Sequence, residues 1–221
     1  MSGISEEVLQ IFQTAVKCSA CFESTSLRRS VIDLPQPRLI GQSYWSCEKR
    51  VLILLINPGS GAARRDNADL AHRNLIALFR SGTGSIDEIF RHQRDDIANW
   101  GRFVSFFINR LGLNLSELAL ANIAWCGTDG NRYPLTMLER CFDRYTSALI
   151  RALKPNVILL SGTRVHRFQE TLRAIAPNAR LVLVPHYAHR ERAAFEQAAA
   201  QRIRSELASG DECSSHTDTS A

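Results

Sequence analysis

The chain has 221 residues, of which 45% are hydrophobic and 22% are charged, and this balance is ordinary for a single soluble globular domain. The formal net charge is +5, but residues 209–221 contain three acidic side chains and no lysine or arginine, so the remainder of the chain has a net charge of +8. This composition excludes a chain too polar to fold, and a basic domain is compatible with a nucleic-acid partner without establishing one.

The pattern of hydrophobic residues indicates neither a leader peptide nor a membrane span. Residues 1–16 mix polar and apolar side chains and include two glutamates, which is unlike a signal peptide. The longest apolar run, residues 51–56, is far too short to cross a bilayer. We therefore expect a cytosolic protein, associated with the nucleoid if the cell is prokaryotic, in which thiols stay reduced.

Along the chain, helical and strand-like patterns alternate. A helix is predicted over residues 6–17, and an irregular stretch over 23–48, where Pro35 and Pro37 exclude a long helix. A continuous apolar run predicts a strand at 51–56, and largely apolar stretches predict three more at 118–125, 157–160 and 180–184. Further helices are predicted over 64–112 with a break at 82–84, and over 134–153, 164–175 and 190–207. The polar segment 209–221 is expected to be disordered.

This alternation predicts an α/β fold, a three-layer α/β/α sandwich with a central, mostly parallel, four-stranded sheet. Residues 1–208 would form one domain. In such sheets the ligand site lies beyond the carboxyl ends of the strands. The unusual polar residues of the sequence all follow predicted strands and so belong to that edge: Asn57-Pro58-Gly59, Asn122 with Cys126, Ser161-Gly162, and His186.

Four cysteines form the most informative pattern in the sequence. Cys18 and Cys21 are spaced as Cys-x2-Cys after the first helix, and Cys126 and Cys141 follow more than a hundred residues later. In a reducing compartment this spacing indicates metal binding or redox chemistry before a disulfide. Four thiolates suit an iron–sulfur cluster, and zinc accepts the same ligands, so the count does not choose the metal.

Taken in order, these motifs resemble the uracil-DNA glycosylase superfamily, particularly its iron–sulfur branch, often called family four. The resemblance covers most of residues 15–190. It is carried by three stretches: Cys18-x2-Cys21, Asn122-x3-Cys126 followed by Asn131-Arg132-x-Pro134 and Cys141, and the strand-like segment 153–162.

The resemblance implies a monofunctional DNA glycosylase that hydrolyses the N-glycosidic bond of uracil or a related deaminated base and leaves an abasic site. The target nucleotide would be rotated into a pocket and read on its hydrogen-bonding edge. The implied roles are water orientation by Asn57, hydrogen bonding to the departing base by His186, and base recognition by Asn122. The remaining implied contacts to the substrate come from Pro58, Gly59 and Arg190.

The resemblance also implies a [4Fe–4S] cluster with a structural role, held by Cys18, Cys21, Cys126 and Cys141, with zinc as the alternative. The expected partner is DNA that contains a damaged or deaminated base, bound by a monomer away from any membrane. None of the three lysines, Lys17, Lys49 and Lys154, lies next to the implied catalytic residues in the sequence, so a Schiff-base lyase step is not expected.

Two motifs depart from the iron–sulfur branch. The first, Ile56-Asn57-Pro58-Gly59, lacks the usual acidic residue and looks more like the mismatch-specific, thymine-DNA or single-strand-selective enzymes. The last, 186–190, has Ala188 in place of the phosphate-binding serine, so that Arg190 or His189 would hold the DNA backbone instead. These departures motivate an alternative, a nucleic-acid-binding member of the same fold with weak or no catalysis. For the aromatic that stacks on the base, Phe79 and Tyr44 are the candidates.

His186 and His189 allow another interpretation, in which they form a His-x2-His metal pair in an unrelated metal-dependent hydrolase. The remaining histidines and cysteines lie outside the motifs. The expectation for the rest is solvent exposure for His72, His92, His166 and His216, and no metal for Cys47 and Cys213.

Overall fold

The core of the protein is one parallel sheet of four strands in the order β2-β1-β3-β4. The computed structural model describes residues 3–23, 26–58, 66–187 and 193–208, without the side chains of 66–68 and 193–196. Its strands are β1 (Val51–Leu55), β2 (Leu118–Asn122), β3 (Val157–Ser161) and β4 (Arg180–Val184). Every residue of β1, β2 and β3 is buried, as expected of apolar strands covered on both faces.

Helices flank the sheet and complete a three-layer α/β/α sandwich, which confirms the predicted fold class. They are α1 (Glu6–Ala15), α2 (Asp66–Ser81), α3 (Ile86–Ile97), α4 (Gly101–Phe103, continued by a π-helix over Val104–Arg110), α5 (Leu135–Cys141), α6 (Ser147–Leu153), α7 (Thr163–His166), α8 (Gln169–Ile175) and α9 (Ala193–Ala208). No helix in the described ranges is long and apolar enough to span a membrane.

The predicted boundaries differ from the observed ones mainly at turns. The predicted strand 118–125 ends at Asn122, and the predicted helix 164–175 is divided into α7 and α8. The helix predicted over 134–153 is interrupted by a π-helical turn, Phe142–Thr146, between α5 and α6. Such turns often occur at functional sites. The tail 209–221 and the first residues of the helix predicted from 190 lie outside the described residues.

The irregular N-terminal segment covers the free edge of β2. Ile40 pairs with Ala119 in an antiparallel bridge, and the Leu120 amide donates to the Leu39 carbonyl at 2.7 Å. Farther along, the Gln36 amide donates to the Trp125 carbonyl at 2.8 Å. These bonds satisfy the exposed edge of the sheet and attach the segment after Cys21 to the segment that carries Cys126.

The expectation of solvent exposure was wrong for His72, His92 and His166, and His216 lies outside the described residues. His92 is half-buried. His166 is half-buried, and its Nε2 donates to the carbonyl oxygens of Leu160 (2.9 Å) and Val184 (3.1 Å). His72 is buried against Gln93, whose Nε2 lies 3.3 Å from His72 Nε2. Burial, with the nearby charges of Arg38 and His92, lowers the pKa of His72 to about 3. His72 is therefore neutral at physiological pH.

Acidification is expected to destabilise the fold through His72. Between its ordinary pKa of 6.5 and its folded pKa of about 3, the unfolded chain binds a proton that the folded chain does not. The free energy of unfolding should thus fall with decreasing pH by up to about 1.4 kcal/mol per pH unit from this group. Urea denaturation at pH 7, 6 and 5 measures the slope, which should be flatter in His72→Gln. Equal slopes in the two proteins would contradict the prediction.

Candidate functional site

The carboxyl ends of the four strands bring the predicted polar residues to one edge of the sheet. Past the end of β1, the Ile56 carbonyl accepts from the Ala124 amide at 2.9 Å, so the segments carrying Asn57 and Asn122 run side by side. On the other side, the Gly162 amide donates to the Val184 carbonyl at 3.0 Å, next to His186. These residues therefore lie at the edge of the sheet that the strand pattern predicts.

Asn122 is buried at this edge with an unpaired side-chain amide. Its exposed fraction is 1%, and neither Oδ1 nor Nδ2 has a hydrogen-bond partner among the described residues. Its backbone, by contrast, is well held, because Thr146 Oγ1 donates to the Asn122 carbonyl at 2.8 Å and accepts from Trp125 Nε1 at 2.9 Å. A buried amide without partners costs about 1–3 kcal/mol. The arrangement suits a ligand that offers one donor and one acceptor.

Asn57 is half-buried, and its amide is oriented by hydrogen bonds. Its Nδ2 donates to Asn131 Oδ1 at 2.8 Å and to Tyr133 Oη at 3.0 Å. Both N–H groups are thus in use, which leaves Oδ1 as the acceptor that a water molecule or ligand can reach. The two asparagines at this edge therefore differ, since one is oriented by the protein and the other is unpaired.

His186 is held against the turn that follows β3. Gly162 at that turn has a φ of +94°, and a Cβ on it would lie 3.2 Å from the Cβ of His186, so any other residue would be strained there. The imidazole also stacks on Tyr187, with 4.9 Å between ring centroids. Tyr187 in turn meets Phe103 edge-to-face at 5.5 Å. His186 is therefore packed against two neighbouring residues at the sheet edge.

The four predicted metal ligands line one small cavity. Cys18 and Cys21 belong to the N-terminal segment, Cys126 follows β2, and Cys141 is the last residue of α5. The remaining lining residues include neither a carboxylate nor a histidine: Ala20, Pro35, Trp125, Arg140, Arg144 and Tyr145. The residues that the resemblance assigned to one metal centre are therefore neighbours, although they come from two distant segments.

The environment of the thiols is dry but lined with positive charge. Burial raises the pKa of Cys141 to about 12, and burial together with the neighbouring thiols raises that of Cys126. Arg144 Nη1 donates to Cys18 Sγ at 3.9 Å, and the Trp125 amide donates to Cys141 Sγ at 3.2 Å. Donors of this kind stabilise thiolates, which is the form that binds metals.

This all-sulfur donor set fits an iron–sulfur cluster or zinc in its chemistry. The described residues contain no group of three or more His, Cys, Asp or Glu side chains already arranged to hold a metal ion. The metal centre therefore stays a prediction that rests on the shared cavity and on the identity of the ligands.

Replacing Cys126 with alanine is expected to remove the metal. Bound iron should fall from about four per chain to below about one, because a cubane loses one of its four protein ligands. The brown colour should bleach and the melting temperature should drop. Cys47→Ala is the matched control, since Cys47 Sγ donates to the Ser43 carbonyl outside the cavity. Anaerobically purified protein that is colourless and contains zinc would show that the iron assignment is wrong.

Several predicted contacts are not placed at the described edge. Gly59 and Arg190, with Ala188 and His189, lie outside the described residues, whereas Pro58 is half-exposed beside Asn57. Tyr44 was a wrong choice for a base-stacking ring, because it is fully buried and its hydroxyl donates to the carbonyl of Leu153 at the end of α6. Phe79 is buried in the last turn of α2.

Sequence reasoning missed the residues that support this edge. Thr128 and Arg164 both contact Tyr133, whose Oη accepts from the Thr128 amide at 3.1 Å and whose carbonyl accepts from Arg164. Tyr187, which packs on His186, was also not selected. Only the position of Tyr133 within the Asn131–Pro134 motif could have signalled a role.

No protein-family model matches the chain, and no curated protein matches it either.

Proposed function

We propose that this protein is a monofunctional DNA glycosylase that hydrolyses the N-glycosidic bond of uracil or a related deaminated base and leaves an abasic site. The observation that carries the proposal is the Asn122 amide, buried at the ligand edge of the sheet, for whose two polar atoms the described residues provide no hydrogen-bond partner. The oriented amide of Asn57 and the packed ring of His186 at the same edge support it.

The unpaired amide matches the edge that deamination creates. Uracil and hypoxanthine both present an N–H donor beside a carbonyl acceptor, whereas cytosine and adenine present a ring nitrogen acceptor beside an amino donor. In one orientation of its amide an asparagine pairs with this edge, with Oδ1 accepting from the N–H and Nδ2 donating to the carbonyl, whereas the opposite orientation would pair with cytosine or adenine. A base turned out of the duplex into this site would satisfy both atoms of Asn122.

The reaction follows from what the other two residues can do. As the bond between C1′ and the base nitrogen breaks, its electron pair leaves with the base, and His186 donates a hydrogen bond to the resulting anion. Asn57 Oδ1 accepts a hydrogen bond from a water molecule and directs its oxygen to C1′. An amide cannot take a proton, so the proton of the attacking water passes to solvent or to the departing base.

The cysteine centre would supply structure rather than chemistry. A [4Fe–4S] cluster, or zinc as the alternative, would be held by Cys18, Cys21, Cys126 and Cys141 and would crosslink the N-terminal segment to the loop after β2. Next to that loop, Arg28 and Arg132 line a cleft together with Asp129. Two arginines there, in a domain of net positive charge, suit contact with phosphates.

Base release from synthetic oligonucleotides tests the proposal. Single- and double-stranded substrates would carry uracil, hypoxanthine, xanthine or a thymine mismatch, and abasic sites would be cleaved with alkali. We expect release of at least uracil, with cytosine and adenine in the same positions left intact. Release of no base from any substrate would overturn the enzymatic proposal. Tight, salt-sensitive DNA binding in that case would favour a non-catalytic binding protein.

A further inference from the structure

Tyr133 connects the cysteine-bearing loop to Asn57. The tyrosine is buried, with 4% of its surface exposed, and its Oη accepts two hydrogen bonds, from Asn57 Nδ2 at 3.0 Å and from the Thr128 amide at 3.1 Å. Cys126 is near enough to contribute to the raised pKa of Tyr133, after burial as the larger cause. One side chain thus contacts both the segment that begins at a predicted metal ligand and the amide at the end of β1.

The loop between Cys126 and α5 is held in an unusual conformation. Gly130 and Asn131 both have a left-handed backbone, with φ values of 64° and 55°, and among non-glycine residues asparagine adopts this region comparatively easily. Thr128 Oγ1 donates to the Arg132 carbonyl at 2.7 Å and closes the loop on itself. Backbone strain of this kind persists only where surrounding contacts over-determine it.

This conformation presents two acceptors to one amide group. Asn131 Oδ1 lies 2.8 Å from Asn57 Nδ2, and Tyr133 Oη takes its other N–H. If the amide rotated by half a turn about its terminal bond, its Oδ1 would face Asn131 Oδ1, and the two acceptors would repel. With Asn131 in its observed orientation, these two contacts therefore hold Nδ2 of Asn57 toward the loop.

We propose that Tyr133 is a positioning residue for catalysis, which transmits the order of the cysteine-bearing loop to Asn57 and keeps Asn57 Oδ1 directed at the attacking water. This inference rests on the function proposed above. It would assign a purpose to a loop that begins at a predicted metal ligand, in a hydrolase whose chemistry needs no metal. In this proposal Tyr133 acts through its hydrogen bond with Asn57.

The test is single-turnover base release by Tyr133→Phe. We expect the maximal rate to fall about 10- to 100-fold, because misorientation of a positioning group costs rate steeply. The DNA concentration at half-saturation and the visible absorbance of the protein should stay unchanged. Asn131→Gly, which keeps the left-handed backbone and removes the second acceptor, should lower the maximal rate in the same way.

A matched control removes a buried tyrosine hydroxyl elsewhere in the protein. Tyr44→Phe loses the hydrogen bond to the Leu153 carbonyl and leaves both contacts of Asn57 in place. Its rate should stay within about threefold of the wild-type rate. In an Asn57→Ala background, Tyr133→Phe should cause no further loss, because two residues that act through one contact are not additive.

Two outcomes would overturn the proposal while the glycosylase function stands: a Tyr133→Phe rate within about twofold of wild type, or an undiminished effect in the Asn57→Ala background. If the wild type releases no base, the proposed function fails. Whether Tyr133 positions Asn57 is then tested separately, by hydrogen exchange of the Asn57 side-chain amide. With ¹⁵N-asparagine labelling, the Asn57 amide protons should exchange with solvent faster in Tyr133→Phe than in the wild type. Equal exchange would overturn the inference.

Discussion

Replacing Asn122 with leucine is expected to make the protein more stable and to abolish base release. The leucine has a similar volume and removes two buried polar atoms that have no partner in the described part of the chain. The free energy of unfolding of the ligand-free protein should rise by about 1–3 kcal/mol, the cost of such unpaired groups. The rate of base release should fall at least about 100-fold, because the base would lose the amide that pairs with its hydrogen-bonding edge. Urea denaturation and single-turnover kinetics measure the two effects.

Asn122→Asp is the informative companion to this variant. The aspartate side chain has the same shape as asparagine, and this variant should also lose activity. At neutral pH, however, it buries an unpaired carboxylate, so it should destabilise the fold instead of stabilising it. Opposite signs for the two stability changes would indicate that the wild-type amide is kept for function at a cost in stability. If leucine destabilised the protein by as much as a typical core substitution, Asn122 would have a partner and the base-reading role would be wrong.

The second large effect is expected at His186. His186→Ala should lower the maximal rate of base release about 10²- to 10³-fold, the usual loss when one donor to a developing anion is removed. DNA affinity should change little, since the hydrogen bond strengthens only as the bond to the base breaks. His186→Gln retains a donor and should recover part of the rate. Single-turnover kinetics with a uracil oligonucleotide measures all three proteins.

His92→Ala controls for the loss of an imidazole elsewhere. His92 stacks on His72, with 5.4 Å between ring centroids, and takes no part in the proposed reaction. Its base-release rate should match that of the wild type. A His186→Ala rate within about threefold of wild type would remove His186 from the catalytic role and would favour another group as the donor to the departing base.

Much of the fold could be predicted from local patterns, because the relevant forces act over short stretches of chain. Apolar runs such as 51–56 and 180–184 have few alternatives to buried strands, and their alternation with helices implies a parallel sheet. The position of Asn57, Asn122 and His186 followed from this, since polar residues after parallel strands must share one edge. The π-helical turn at Phe142–Thr146 could not be predicted, because a 3.6-residue pattern does not reveal one added residue.

The histidines show where local patterns fail. His72 lies on α2 in a sequence context like that of an exposed residue, yet it is buried against Gln93 of α3. Whether a polar side chain has a buried partner depends on how two helices pack against each other. This packing cannot be read from the sequence of either helix alone. For the same reason Tyr44, an aromatic near the first strand, was wrongly considered for base stacking, although its hydroxyl is committed to Leu153.

The sequence by itself determined the α/β architecture, the edge of the sheet that carries the polar residues, and the candidate ligands Cys18, Cys21, Cys126 and Cys141. These follow from periodicity, from strand direction and from the chemistry of residue types. Only the tertiary structure decided that the four thiols share a cavity, that the Asn122 amide is unpaired, and that Tyr133 and Asn131 orient Asn57. Those features depend on contacts between segments up to about a hundred residues apart, and only the packing of the whole chain brings such segments together.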